Sequence, residues 1–309
     1  MTLKDSILGF LIIFLWGINF VVIAWGLEGM PPLLMGACRF LLVALIGSLF
    51  IKPPKMPWKW LLAYGLTLGF GQFAFLFSAM AFGMPAGLAS LVLQSQALFT
   101  LLFAALLLKE GISPQQLLAM LIACIGLYLV AGGESSQASA MTTLGFILTL
   151  AAAMCWGLGN IVNRTINKRG YQANLGLVIW SAWIPPIPFL LASYYFEGGE
   201  AIREALFNIQ LTTFAALLYL AVAATIIGYS LWSYLLGRYP AAQIAPLTLA
   251  VPVVGLAAAG YFLDEVINLQ QWLGIVLVMS GLVLNVTGGQ LLVFVKKKFS
   301  DKKQAETFD

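Results

Sequence analysis

Ten apolar stretches, each near the about 20 residues that a helix needs to cross a bilayer, follow one another at roughly 6-27, 33-51, 59-81, 86-108, 114-132, 143-163, 173-196, 211-236, 241-263 and 268-290. Nothing is left over for a soluble domain. With 61% hydrophobic and 9% charged residues among 309, the chain lies far from the about 25% charged of a water-soluble fold. Only a lipid solvent tolerates apolar side chains on both the inside and the outside of a protein. The sequence predicts an all-α membrane protein with ten transmembrane helices.

The 16 Lys and Arg against 12 Asp and Glu sit in short clusters between the spans, not along one polar face. That pattern speaks against a nucleic-acid partner and for topology signals. With a cytoplasmic N-terminus, the inner loops collect Lys4, Lys52, Lys55, Lys59, Lys109, Arg164, Lys168, Arg169, Arg238, Lys296, Lys297, Lys298, Lys302 and Lys303, and the outer loops hold only Arg203. Both termini are therefore expected in the cytoplasm, with 291-309 a basic cytoplasmic tail whose lysines fix the last helix. The run after Lys4 and Asp5 has no small-residue cleavage pattern behind it and reads as a retained span, not a signal peptide.

Zero His and three scattered Cys, Cys38, Cys124 and Cys155, all inside apolar segments, leave no metal-ligand spacing. No cofactor or metal is expected. The chain shows no nucleophile with a base and no paired acids within its spans, so it is not read as an enzyme. It also lacks the GxxxxGK[ST] loop of an ATP-driven pump.

Sliding the second half against the first by 155 positions superimposes spans three to five on spans eight to ten without a gap. Tyr64 meets Tyr219, Pro85-Ala86 meets Pro240-Ala241, Glu110 meets Glu265, Ile112 meets Ile267, Gln115-Gln116 meets Gln270-Gln271, Leu118 meets Leu273, and Gly126-Leu127 meets Gly281-Leu282. At a shift of 140, Trp16-Gly17 lies over Trp156-Gly157, with Asn19 and Asn160 close behind. The repeating unit is five spans, over 1-132 and 142-290. Five is odd, so the two copies enter the membrane from opposite sides and form an inverted repeat, the basis of alternating access.

These residues carry a resemblance. Trp16-Gly17-Ile18-Asn19-Phe20, Arg39-Phe40, Gly83 through Ser90, Lys109-Glu110, Trp156-Gly157 and Leu263-Asp264-Glu265 make the chain similar to the EamA type of the drug/metabolite transporter superfamily, built from two inverted five-helix repeats. Gly83 to Gln96 and Gly228 to Gly255, with Leu-Leu-Gly-Arg-Tyr, resemble bacterial exporters of the cysteine and O-acetylserine type. The resemblance implies a bacterial inner-membrane secondary transporter that exports small amino acids or their metabolites by alternating access, with a small polar solute and membrane lipids as its partners. A broader drug or metabolite efflux carrier of the same fold is the alternative, and a channel fits the inverted halves and proline-broken helices less well.

An unpaired polar group in hydrocarbon costs several kcal/mol, so polar side chains within spans mark the pathway. The resemblance puts helices one, three and four of each half around it. Asn19, Gln72, Gln96, Trp156, Asn160 and Tyr229 then supply neutral donors, acceptors and an aromatic wall suited to a small zwitterion. Gln94 and Gln96 stand ~200° apart on an ideal helix and are not expected to face one cavity, whereas Thr100 shares the face of Gln96. Arg39, about six residues or ~9 Å inside the second span, either snorkels and pairs with helix carbonyls or faces the cavity and attracts a carboxylate. No other ionisable residue is placed clearly within a span, which favours facilitated diffusion over direct proton coupling. Pro246 and Pro252 in span nine, and Pro185, Pro186 and Pro188 in span seven, are expected to bend their helices.

Overall fold

The computed structural model describes residues 1–132 and 141–286, and among them every regular element is helical. Lipid leaves little choice, because each buried N–H must find its acceptor within its own segment. Nine helices are long and apolar enough to span: α1 (Leu3–Leu27), α2 (Pro32–Phe50), α3 (Trp58–Ala81), α4 (Ala86–Leu108), α5 (Pro114–Ala131), α6 (Thr143–Lys168), α7 (Leu175–Phe196), α8 (Leu211–Arg238) and, after one broken helix, α10 (Leu269–Val286). The broken helix, α9, runs as Ala241–Ile244, a 3₁₀ stretch Ala245–Ala250 and Val251–Phe262. Pro246 and Pro252 lie at those joints, where a proline ring removes a helix hydrogen bond. In α7 the helix breaks between Ser181 and Pro186, as its three prolines predict.

Side-chain caps decide several starts, and they lengthen the apolar runs. Thr2 accepts from the Asp5 amide and begins α1 at Leu3, three residues before the apolar stretch, while α6 and α8 continue to Lys168 and Arg238. The polar connection at 197–210 holds a further short helix, Gly199–Phe207. The connection after Gly132 and the basic tail with Lys296, Lys297 and Lys298 lie outside the described residues.

Two contact units emerge. Among the described residues, one comprises 1–109 and 141–267, the other 110–132 and 268–286; α5 and α10 make up the second, and each unit draws on both sequence repeats. The α5/α10 pair explains the repeated Gln-Gln. Gln115 Nε2 donates to the Leu284 carbonyl at 3.0 Å, and Gln270 Nε2 donates to the Leu129 carbonyl at 3.2 Å, the same bond read from the other copy. The second Gln of each pair closes a capping box, Gln116 with Ser113 and Gln271 with Asn268. Between them Gly126 and Gly281 let backbones touch: a Cβ on either would lie 2.6–2.7 Å from Val278 N or the Ala119 carbonyl. Small residues at such crossings are how membrane helices associate without a hydrophobic drive.

Within the larger unit, the Trp-Gly pairs work in the same way. A Cβ on Gly17 of α1 would come within 2.5 Å of Val254 on α9, and one on Gly157 of α6 within 2.9 Å of Phe99 on α4. Val254 is Phe99 displaced by 155, so the two crossings are repeat equivalents. Helical irregularities repeat as well. The π-helical stretch Gly65–Gly71 in α3 corresponds to Tyr219–Ile227 in α8, and the 3₁₀ turn Leu93–Ser95 in α4 to part of Ala245–Ala250.

Candidate functional site

The irregular turns face one another across a cavity of about 400 Å³ inside the larger unit, within the about 300–1,000 Å³ usual for small-molecule sites. Its wall includes all seven residues singled out from the sequence: Asn19, Arg39, Gln72, Gln96, Trp156, Asn160 and Tyr229. Helices α1, α3, α4, α6, α8 and α9 contribute, and α2 adds Arg39, in the cavity-facing one of the two placements the sequence left open. Gln72 and Tyr229 each stand just beyond a π-helical stretch, and such widened turns re-aim side chains and recur at functional sites.

Arg39 is only 4% exposed, so it does not snorkel. Nη2 donates to Thr225 Oγ1 at 3.1 Å, and Thr225 in turn donates to the Leu220 carbonyl at 2.8 Å within the π-helical stretch of α8. The guanidinium lies 4.0 Å from the Phe73 ring centre, a cation–π seat that partly replaces lost hydration. Nε and Nη1 have no partner. Among the described residues, the cavity wall carries no carboxylate to neutralise this charge.

Asn160 is differently placed. Its Nδ2 donates to Gln96 Oε1 at 2.7 Å and Thr100 Oγ1 at 3.0 Å, and Thr100 donates to the Gln96 carbonyl. This closed set ties α6 to α4. Thr100 sits behind the wall as interhelical glue, although it shares the helix face of Gln96. Gln94 corrects the sequence reading. It lines the same cavity as Gln96, because the 3₁₀ turn Leu93–Ser95 advances ~120° per residue instead of ~100° and narrows their separation from ~160° to ~120°. Its Nε2 donates to the Thr248 carbonyl at 3.1 Å.

The sequence argument did not select Tyr64, Asn163 or Trp232, which also line the cavity. Trp16 packs its ring 5.4 Å from Tyr229 and 5.5 Å from Trp232 and donates Nε1 to the Ala224 carbonyl at 3.0 Å. Trp16, the repeat mate of Trp156, thus stands on the same cavity wall. Asn163, one turn beyond Asn160, carries a signal that helical spacing alone exposes.

Two carboxylates hold helix starts at the end of the unit where α1 finishes. Glu265 accepts from the Ala86 and Gly87 amides at 2.5 and 2.9 Å, and Glu197 from Leu33 and Leu34 at 2.6 and 3.1 Å. Each satisfies orphan N–H groups and places negative charge at the positive end of a helix. Burial pushes the Glu265 carboxyl up from the usual carboxylate range, with the two amides pulling the other way. At the opposite end, Asp5 is 1% exposed. Its carboxylate accepts from Tyr239 at 2.6 Å and Thr2 at 2.8 Å, with Arg238 at 3.7 Å. Asp5 is thus a buried carboxylate in the first turn of α1, just outside the apolar run, covered by the end of α8. It lies outside the cavity wall.

A model of the EamA-like transporter family matches residues 4–132 and 143–287. Two bacterial proteins named probable amino-acid metabolite efflux pump align over nearly the whole chain. That of Salmonella typhimurium is 51% identical over 290 residues, 93% of this chain and 96% of its own; that of Escherichia coli is 49% identical over 289 residues, again 93% and 96%. A solved crystal structure superposes with a TM-score of 0.62 at 19% identity, over 94% of this chain and 99% of its own, a likeness that concerns the fold alone.

Proposed function

The chain belongs to the EamA-like transporter family, a multi-pass membrane transporter and not an enzyme, and from that premise we propose that it exports small amino acids or their metabolites, of the cysteine and O-acetylserine kind, across a bacterial inner membrane. The single observation behind the cargo class is Arg39, a buried cation with two unpaired donor nitrogens on a cavity wall without a carboxylate. A buried charge left so is strongly unfavourable, and a cargo carboxylate would relieve it. The names of the two bacterial relatives agree with that class of cargo.

In this reading Asn19, Gln72, Trp156 and Tyr229 contact the cargo together with Arg39, while Gln96 and Asn160 line the cavity as a bonded pair that holds its wall in place, and the two repeats over 1-132 and 142-290 exchange roles as the cavity alternates between the two sides of the membrane. The broken α7 and α9 supply the bends. Both termini face the cytoplasm, on the split of loop Lys and Arg. In a background without Cys38, Cys124 and Cys155, Lys55→Cys should react with an impermeant thiol reagent only from the inside and Arg203→Cys from outside intact cells; the reverse pattern would invert the topology.

Transport is tested with purified protein in liposomes. Labelled L-cysteine or L-serine outside should enter faster when unlabelled solute is trapped inside, and the rate should saturate. Flux without such trans-stimulation would mean a channel, and no flux of any carboxylate-bearing solute would overturn the reading.

A further inference from the structure

The bond between Arg39 and Thr225 has a direction that its surroundings fix. A hydroxyl carries one proton and two lone pairs, and Thr225 donates its proton to the Leu220 carbonyl at 2.8 Å. Lone pairs alone remain on Oγ1, and one of them accepts from Arg39 Nη2 at 3.1 Å. Thr149 and Thr165, in regular helix, donate to carbonyls four residues back, whereas Thr225 reaches five residues back within the π-helical stretch of α8. The widened turn therefore sets where this oxygen faces.

Thr225 is 3% exposed and stands behind the cavity lining, so it acts through Arg39 and not on the cargo. Its counterpart in the first repeat, 155 positions earlier, is Phe70, whose ring packs 4.9 Å from that of Phe189. Of the two repeat positions, the one that meets the arginine carries the hydroxyl. An aspartate there would hold the guanidinium more strongly through charge-assisted bonds, but it would also cancel the charge. Thr225 and the Phe73 ring, 4.0 Å from the guanidinium, hold it without doing so. We propose that Thr225 is a positioning residue for carboxylate recognition: it fixes the Arg39 guanidinium at the cavity wall through a neutral acceptor, which leaves the positive charge for the carboxylate of the cargo. This rests on the transporter reading above.

L-serine and serinol differ only in a carboxylate against a hydroxymethyl group. Equilibrium binding to the purified detergent-solubilised protein, measured alongside liposome counterflow, should favour L-serine by about tenfold or more. Thr225→Val, which keeps the shape and removes the oxygen, should lower serine affinity about fivefold and leave serinol within about twofold. Thr225→Ser restores the hydroxyl and should recover the ratio of the unchanged protein. Thr225→Asp should pair with the arginine and reverse the order, so that serinol binds at least as well as serine, and it keeps the proposal open to test if the Val variant fails to fold. An unaltered ratio in Thr225→Val, or an equal loss of both solutes in the Val and Ser variants alike, overturns the positioning role. So does a Thr225→Asp protein that still favours serine as the unchanged protein does. Binding of neither solute by the unchanged protein overturns it together with the cargo reading. Discrimination in binding without any counterflow would overturn the carrier reading and leave the role of Thr225 standing.

Discussion

Gly17 in the first repeat and Gly157 in the second perform one job, each letting its helix approach the proline-led helix of the other repeat, at Val254 and Phe99 respectively. Asn19 and Asn160, which follow them, do not. Asn160 finds Gln96 and Thr100 across the crossing, but adding 155 to those positions gives Val251 and Gly255, and Asn19 is left with an oxygen unpaired. Arg39 differs from its counterpart Trp180 in the same way. Trp180 Nε1 donates to the Ile51 carbonyl at 2.9 Å and is satisfied by the fold, while Arg39 is not. The repeat supplies a symmetric frame, and the cavity gains its chemistry where the repeat is broken.

The frame is the strongest part of that comparison to break. Gly17→Val and Gly157→Val should each lower the yield of folded protein severely, since the added carbons would overlap Val254 and Phe99 and overpacking costs about 1–3 kcal/mol or more. Size-exclusion profiles of the two variants should look alike. One tolerated substitution beside one lethal one would show the crossings to be unequal.

Asn160→Leu and Asn19→Leu sharpen it next. The first removes a bonded side chain and strands Gln96 and Thr100, a loss of about 1–3 kcal/mol, visible as a lower melting temperature of the purified protein. The second should leave melting nearly unchanged and weaken cargo binding. The opposite assignment of stability and binding would refute the division into frame and site.

Smaller effects are expected from Glu197→Gln and Glu265→Gln. Each keeps an acceptor at a helix start but removes the charge that favours it there, worth about 0.3–1 kcal/mol. Both should cost modest stability, and neither should alter the order of preference among cargoes. A change of preference in Glu265→Gln alone would place that carboxylate in substrate selection.

Much of this was legible beforehand, for physical reasons that differ by residue. Span number, the inverted repeat and the helix-starting Pro85 follow from period and composition. All seven chosen residues line one cavity, because polar atoms inside a bilayer have few other places to go. Gln94 was misassigned because an ideal 3.6-residue helix was assumed across Leu93–Ser95, whereas Thr100 lies beyond that turn on the same regular helix as Gln96 and is drawn behind the wall by Asn160. The burial of Asp5 depends on Tyr239 and Arg238, far away in sequence. Nothing in the local sequence at Gly65–Gly71 or Tyr219–Ile227 announces a π-helical turn, although the shared register would have required any such turn to occur twice. Glu265 was visible as the mate of Glu110, but its bond to the start of α4 depends on tertiary packing.

The central claim, that Arg39 serves the cargo while Trp180 serves the fold, is tested most directly by counterflow of L-serine and of serinol, its analogue without a carboxylate, in liposomes holding equal amounts of folded wild-type, Arg39→Gln and Trp180→Phe protein. The account predicts that Arg39→Gln slows serine by about tenfold or more, the loss of one charge-assisted contact, and leaves serinol within about twofold, while Trp180→Phe changes neither ratio. An equal loss of serine and serinol in Arg39→Gln would contradict it and return the arginine to the frame.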